Sequence, residues 1–77
     1  MERKLYINRL YRHFKGMLYY VVEEGLDSET LEPVVIYRQL YGEYKTFVRN
    51  KEMFLSLVDK QKYPEVEAMY RFTLVEE

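Results

Sequence analysis

The 77-residue sequence has no cysteine and no tryptophan, one histidine, one alanine, two prolines and three glycines. Each scarcity excludes something. Without cysteine there is no disulfide framework, no thiolate zinc site and no cysteine nucleophile. With His13 as the lone imidazole, a transition-metal site would need carboxylates as its other ligands. No apolar run approaches the ~20 residues that span a bilayer, and the Met1-Glu2-Arg3-Lys4 start lacks a signal peptide's apolar core. Neither charge is in excess. Twelve Lys+Arg stand against thirteen Asp+Glu, a net charge of -1, which argues against retention on nucleic acid or anionic lipid by bulk charge. Three isolated glycines are too few for a phosphate loop, and no paired-carboxylate or metal-ligand spacing occurs. The expectation is a soluble, cytoplasmic chain with no cofactor, no metal and no membrane association.

Nine Tyr, four Phe and eight Val dominate what is present. Tyr, Phe and Val favour strands, whereas Ala, the best helix former, occurs once, at Ala68. A chain this short buries a modest fraction of its surface, so each core side chain must be large. A buried aromatic removes ~150–250 Å² from water, and tyrosine can do so while its oxygen stays wet. The tyrosines therefore read first as bulk that closes a small β core.

Residues 1–11 (MERKLYINRLY) fit a strand face or a helix face equally well and read as an N-terminal arm packed on a single β domain of residues 12–77. Met17 to Glu24 alternates with both faces apolar and is expected to form a strand, buried twice or covered by the arm, that stops at Gly25. Gly25 to Thr30 has turn chemistry. Pro33 opens the strongest strand, Val34 to Tyr41, and Gly42-Glu43 turns the chain into a third, Tyr44 to Arg49. The period then changes. Phe54, Leu57 and Val58 lie at helical spacing behind Asn50, an expected N-cap. Asp59 to Glu67 reads as a loop, and Met69 to Val75 as the last strand. The fold class is mainly β: a small, SH3-like, partly open barrel or a strongly bent antiparallel sheet with one short helix.

Several short blocks fall in a recognisable order: Arg12-His13-Phe14-Lys15-Gly16, Tyr19, Val21, Ser28-Glu29-Thr30, Glu32, Val35, Tyr37, Leu40-Tyr41-Gly42, Phe47-Val48-Arg49, Met53-Phe54 and Arg71-Phe72. Together they resemble the small bacterial domain of unknown function 1653 family, over roughly residues 11–75. The resemblance implies a compact, mostly β domain of SH3-like character and no assigned activity. The family pattern usually carries Trp in place of Phe47, Pro in place of Asn50, and Gly ahead of the Arg-His-Phe block.

Candidate chemistry is sparse. His13, between Arg12 and Lys15, suits a general base or an anion contact, or equally a ring packed at the barrel rim. Ser28, Glu29 and Thr30 invite a nucleophile reading, but a tandem turn supplies neither a base in reach nor an oxyanion donor. They read better as a self-fastening turn, or a partner loop. Arg12, Arg38, Arg49 and Arg71 interleave with Tyr11, Tyr37, Tyr41, Phe47 and Phe72. Such sets make a peptide groove or a base-stacking surface. The bland alternative has Arg stems covering Tyr rings while their heads pair with Glu29, Glu32 or Glu43. Met53, Phe54, Leu57 and Val58 read as a plug for one end of the barrel.

The reading adopted is a non-catalytic binding module offering Arg12, His13, Tyr37, Arg38, Tyr41, Phe47 and Arg49 to a protein segment or small ligand. A nucleic-acid or nucleotide-binding domain using the same face is the alternative. A small enzyme acting through His13 and a carboxylate comes third. A monomer with its arm folded back is favoured slightly over a dimer.

Overall fold

A computed structural model describes residues 3–76. Alternation of large apolar residues with polar ones produces five strands: β1 (Arg9–His13), β2 (Leu18–Leu26), β3 (Pro33–Gln39), β4 (Thr46–Asn50) and β5 (Phe72–Leu74). They form one open antiparallel sheet in the order β4-β3-β2-β1-β5. Residues directly opposite in such a sheet share a face. The register sets Tyr11 against Tyr19 and Leu74, Val21 against Tyr37, and Tyr37 against Phe47. One face therefore collects Tyr11, Tyr19, Val21, Val35, Tyr37 and Phe72, all buried.

That face is concave. At a strand spacing of about 4.8 Å, β3 and β5 would lie about 14 Å apart in a flat sheet. Yet the rings of Tyr37 and Phe72 are 5.5 Å apart, centroid to centroid, so the sheet curls around its own aromatics. A register shift between Val21 and Glu23 in the β2–β3 ladder sharpens the bend, as an inserted residue increases local twist. The sheet stays open, with β4 and β5 as its edges.

The concavity is filled from the chain that follows β4. Asn50 caps α1 (Lys51–Phe54), its side chain accepting the Met53 N–H. This single turn delivers Phe54, which is fully buried and stacks on Phe72 at 4.1 Å and 8°. Leu55 packs against the same cluster. The expected Phe54–Leu57–Val58 helical face is corrected here. The helix ends at Phe54, and Leu57 is largely exposed, in an isolated bridge with Tyr70. The chain leaves helical geometry after one turn, and Val58 is buried from the irregular segment that follows.

Other boundaries move as well. Leu18–Leu26 runs through Gly25, where the expected strand stopped. It is buried on one face only; Val22 and the half-buried Leu18 and Tyr20 lie on the convex side. The last strand is only Phe72–Leu74. Within the segment read as an arm, residues 1–2 lie outside the described ones, residues 3–8 are irregular, and Arg9–Tyr11 belong to β1. The irregular part folds back over the core. Arg3 donates to the carbonyls of Leu55 and Phe72 at 2.9 Å each and lies 3.8 Å above the Tyr70 ring, while Leu5 packs on the buried cluster. Among the described residues, no helix is long and apolar enough to cross a membrane.

Candidate functional site

Polar groups converge at one rim of the concave face. Tyr19 and Tyr37 bury their rings, in an edge-on contact at 5.4 Å, and each hydroxyl finds a side-chain partner at the rim. The Tyr19 hydroxyl is hydrogen-bonded to that of Tyr41, just past the end of β3. Arg49, on β4 and opposite Val35, donates from Nε to the Tyr37 hydroxyl at 3.1 Å. Phe47 lies two residues before it on the same face, 5.9 Å from the Tyr37 ring and 38% exposed. At the other end His13 meets the edge of Phe72 at 5.0 Å and comes within 6.3 Å of Tyr19. Beyond it Phe14 packs on Tyr63 at 4.9 Å, and these two line a hollow with His13, Lys15, Asp59, Lys62 and Arg71.

The rim is cationic. Burial first, then the positive charges of Lys15, Arg71 and Arg49, hold the His13 imidazole down to about 4. The Lys15 N–H donates to His13 Nδ1 at 3.1 Å. The neutral ring therefore carries its proton on Nε2 and offers a donor. Tyr19 is pushed up by burial, by its bond to Tyr41 and by the nearby Tyr41 and Tyr37 oxygens, against the pull of Arg49. It stays a neutral hydroxyl. Among the described residues the carboxylates engage lysines rather than arginines: Glu43 pairs with Lys45, and Glu24 with Lys51. The arginine heads go elsewhere, Arg71 Nε to the Ser56 hydroxyl and Arg38 Nε to the Thr46 hydroxyl. Asp59, the one acid in the hollow, accepts the N–H groups of Gln61 and Lys62 with Oδ1. An aromatic floor under unneutralised guanidinium groups is chemically suited to a carboxylate or phosphate. Among the described residues, no group of three or more His, Asp and Glu is placed to hold a metal ion.

Residues 9–74 match the model of a family described as Protein of unknown function (DUF1653). The chain belongs to that family. No curated protein and no solved structure is significantly similar to it. The family assignment matches the resemblance carried by the Arg12–Gly16, Leu40–Gly42 and Phe47–Arg49 blocks, and DUF1653 brings no activity with it.

Within this DUF1653 domain the sequence-derived candidates divide between the two faces. His13, Tyr37, Tyr41, Phe47 and Arg49 come together on the concave rim. Arg12 and Arg38 do not. Each is one residue out of phase with a core tyrosine, so strand alternation sends it to the convex face, where Arg12 binds the Gly16 carbonyl at 2.9 Å. Tyr11 and Phe72 of the interleaved set are core, each 1% exposed. Glu32 accepts from Asn50 at 2.9 Å and Glu43 pairs with Lys45, so neither takes an arginine head. Ser28, Glu29 and Thr30 sit in a turn fastened by Asp27, whose Oδ1 accepts the N–H groups of Glu29 and Thr30. Those two bonds hold the Asp27 carboxyl below its usual range.

Sequence reasoning missed Tyr19, Phe14 and Tyr63 as members of the rim. Tyr19 was detectable in principle. It shares strand parity with Val21, and a tyrosine on a core face needs a partner for its oxygen. Tyr63 gave no signal, because only tertiary packing brings the 59–67 loop to Phe14.

Proposed function

We propose that this domain is a non-catalytic binding module whose concave rim holds an anionic ligand, either a carboxylate-bearing protein segment or a small anion. One observation carries the reading. Among the described residues Lys15, Arg71 and Arg49 pair with no carboxylate, the two arginines turn to the Ser56 and Tyr37 hydroxyls, and Asp59, the one acid in the hollow, is taken up by backbone N–H groups. Such a cluster repels itself and gains from an anion placed among its members. The Phe47 ring gives the ligand a surface to lie on, and the Tyr19–Tyr41 hydroxyl pair gives it a donor to meet. His13 supports binding rather than acid–base chemistry, since its Nδ1 lone pair already accepts the Lys15 N–H and leaves Nε2 as a donor.

Titration of isotope-labelled protein with inorganic phosphate, with tetraglutamate and with a single-stranded oligonucleotide at two salt concentrations tests this. Arg49 Nε and the rim aromatics are expected to shift with phosphate and tetraglutamate, and Arg49→Ala is expected to abolish the response. Shifts confined to Arg12 and Arg38, or none at all, refute the reading. Salt-sensitive oligonucleotide binding at the rim, much tighter than tetraglutamate, transfers the surface to nucleic acid.

A further inference from the structure

The cationic rim ends at an unpaired sheet edge, and the two are the same strand. Among the described residues β4 pairs with β3 alone. The direction of its main-chain groups follows from the ladder. The Gln39 N–H donates to the Lys45 carbonyl at 3.0 Å. Hydrogen-bonded pairs recur every second residue in an antiparallel ladder, so Phe47 and Arg49 turn their N–H and C=O groups toward Tyr37 and Val35. Thr46 and Val48 turn theirs outward. Their side chains face the convex side, where Val48 is 65% exposed, while Phe47 and Arg49 face the rim. Free edges are ordinarily blunted by proline, lysine, an inward-pointing charge, a bulge or a covering segment. Of these Thr46–Asn50 has only Arg49, a concave-side cation that an acidic partner strand would neutralise; it contains no proline or lysine, its ladder with β3 runs without a register shift, and among the described residues no further strand pairs with it. The opposite edge, β5, is three residues long.

We infer that the ligand of the rim is an extended protein segment that adds antiparallel to β4 as a sixth strand, with acidic side chains on the concave side facing Arg49. This rests on the anion-binding reading and specifies the partner. Backbone pairing supplies affinity in such additions, and side chains at alternate positions supply selectivity. Residues opposite Thr46 and Val48 would bond to the edge and lay their side chains beside exposed Val48, so those positions call for β-branched apolar residues. The intervening positions lie beside Phe47 and Arg49 and call for Glu or Asp. Antiparallel addition is the pairing found throughout this sheet.

The probe is the alternating peptide acetyl-Val-Glu-Val-Glu-Val-Glu-Val-amide, with two variants. One is N-methylated on its inner valines, the other on its glutamates. Hydrogen exchange at the Thr46 and Val48 amides is expected to slow on saturation by about tenfold or more. The N-methyl-valine peptide is expected not to bind and the N-methyl-glutamate peptide to bind normally, because only the valine amides face the edge. Arg49→Ala is expected to weaken binding by about tenfold or more. Val48→Pro removes one outward donor and is expected to abolish binding with the fold retained. Should that variant not fold, the N-methylated pair still decides.

Equal binding of both N-methylated peptides, or binding without amide protection, overturns strand addition. Protection that grows with protein concentration and no peptide overturns it too, assigning the edge to a second copy of the chain. If no peptide binds but phosphate still shifts Arg49 Nε, strand addition alone falls. If phosphate also fails, the anion reading falls with it.

Discussion

Tyr37 joins the core to the rim, and a pair of substitutions separates its two roles. The residue is 4% exposed, and its ring lies 5.2 Å from Phe54, 5.4 Å from Tyr19, 5.5 Å from Phe72 and 5.9 Å from Phe47. Tyr37→Ala empties the centre of that group. Truncating a buried large aromatic costs about 3–5 kcal/mol. The whole domain is held by about 4–12 kcal/mol, at about 0.05–0.15 kcal/mol per residue. The alanine variant is therefore expected to lose between about a quarter and all of that stability. Tyr37→Phe keeps every ring contact and removes only the oxygen that accepts from Arg49. Water at the open rim can replace that acceptor, so the cost is expected to be about 1 kcal/mol or less.

Urea denaturation followed by circular dichroism measures both. With a slope of about 1 kcal/mol per molar urea, the low end for small domains, the alanine variant loses about 3 M or more of midpoint and the phenylalanine variant about 1 M or less. A Tyr37→Ala cost below about 1.5 kcal/mol would show that the ring is not core, since partial relaxation alone does not reduce an aromatic truncation so far. A Tyr37→Phe cost equal to that of Tyr37→Ala would show that the Arg49 bond, rather than packing, holds this part of the sheet.

His13 makes stability depend on pH across a defined window. Its folded pKa is about 4 against an ordinary 6.5, so between those values the unfolded chain binds a proton that the folded one does not, and stability falls as pH is lowered from 6.5 toward 4. His13→Gln is expected to flatten this part of a melting-temperature profile. The Asp27 contribution, from a carboxyl held below its ordinary 3.8, is lost only at still lower pH. An unchanged slope between pH 4 and 6.5 in the Gln variant would remove His13 as the cause. Leu31 sits in the left-handed region with φ 63° and is 67% exposed. Leu31→Gly relieves the Cβ strain at little loss of burial, and after the entropy glycine adds to the unfolded chain it is expected to stabilise by about 0.5–1 kcal/mol in the same urea assay. A destabilised variant would show that the Leu31 side chain holds the turn in place.

The β2, β3 and β4 segments were readable because strand alternation is a local signal and Val, Tyr and Phe mark it strongly. Asn50 was readable as a cap for the same reason, since its partner is the nearby Met53 N–H. β1 was not. Leu10 and Tyr11 carry helix and strand periodicity at once, and Tyr11 is a core residue only because β2 and β5 flank it on both sides. Leu57 misled because its spacing from Phe54 is helical, whereas the helix that would use that spacing stops at Phe54. For the candidate site, residue type was readable and placement was not. Arg12, Arg38 and Arg49 look alike in the sequence. What separates them is parity against the core tyrosines, and that parity became certain only with the register of the sheet.

The same economy that lets so short a chain fold also constrains where a ligand can be recognised. Because bulk must come from tyrosine, Tyr19 and Tyr37 each serve as a core ring whose hydroxyl makes a rim hydrogen bond, so the centre of the rim is built from the ends of core residues, with Phe14 and Tyr63 of the 59–67 loop added beyond it. A site of that kind is rigid, since moving either hydroxyl means moving a ring packed among Phe54 and Phe72. Rigid donors lose little entropy on binding and favour a ligand that already matches their spacing. The mobile complement is Arg49, whose stem lies on an edge strand and whose head is held by the Tyr37 hydroxyl alone among the described residues. Recognition thus divides into a fixed aromatic floor and the cations around it, Lys15 and Arg71 at the hollow and the adaptable Arg49 at the sheet edge. This division argues for reading function through conservative substitutions, Tyr→Phe and Arg49→Lys. Truncating a core tyrosine would destabilise the domain along with its site, whereas Arg49→Ala, on an edge strand, tests the cation alone.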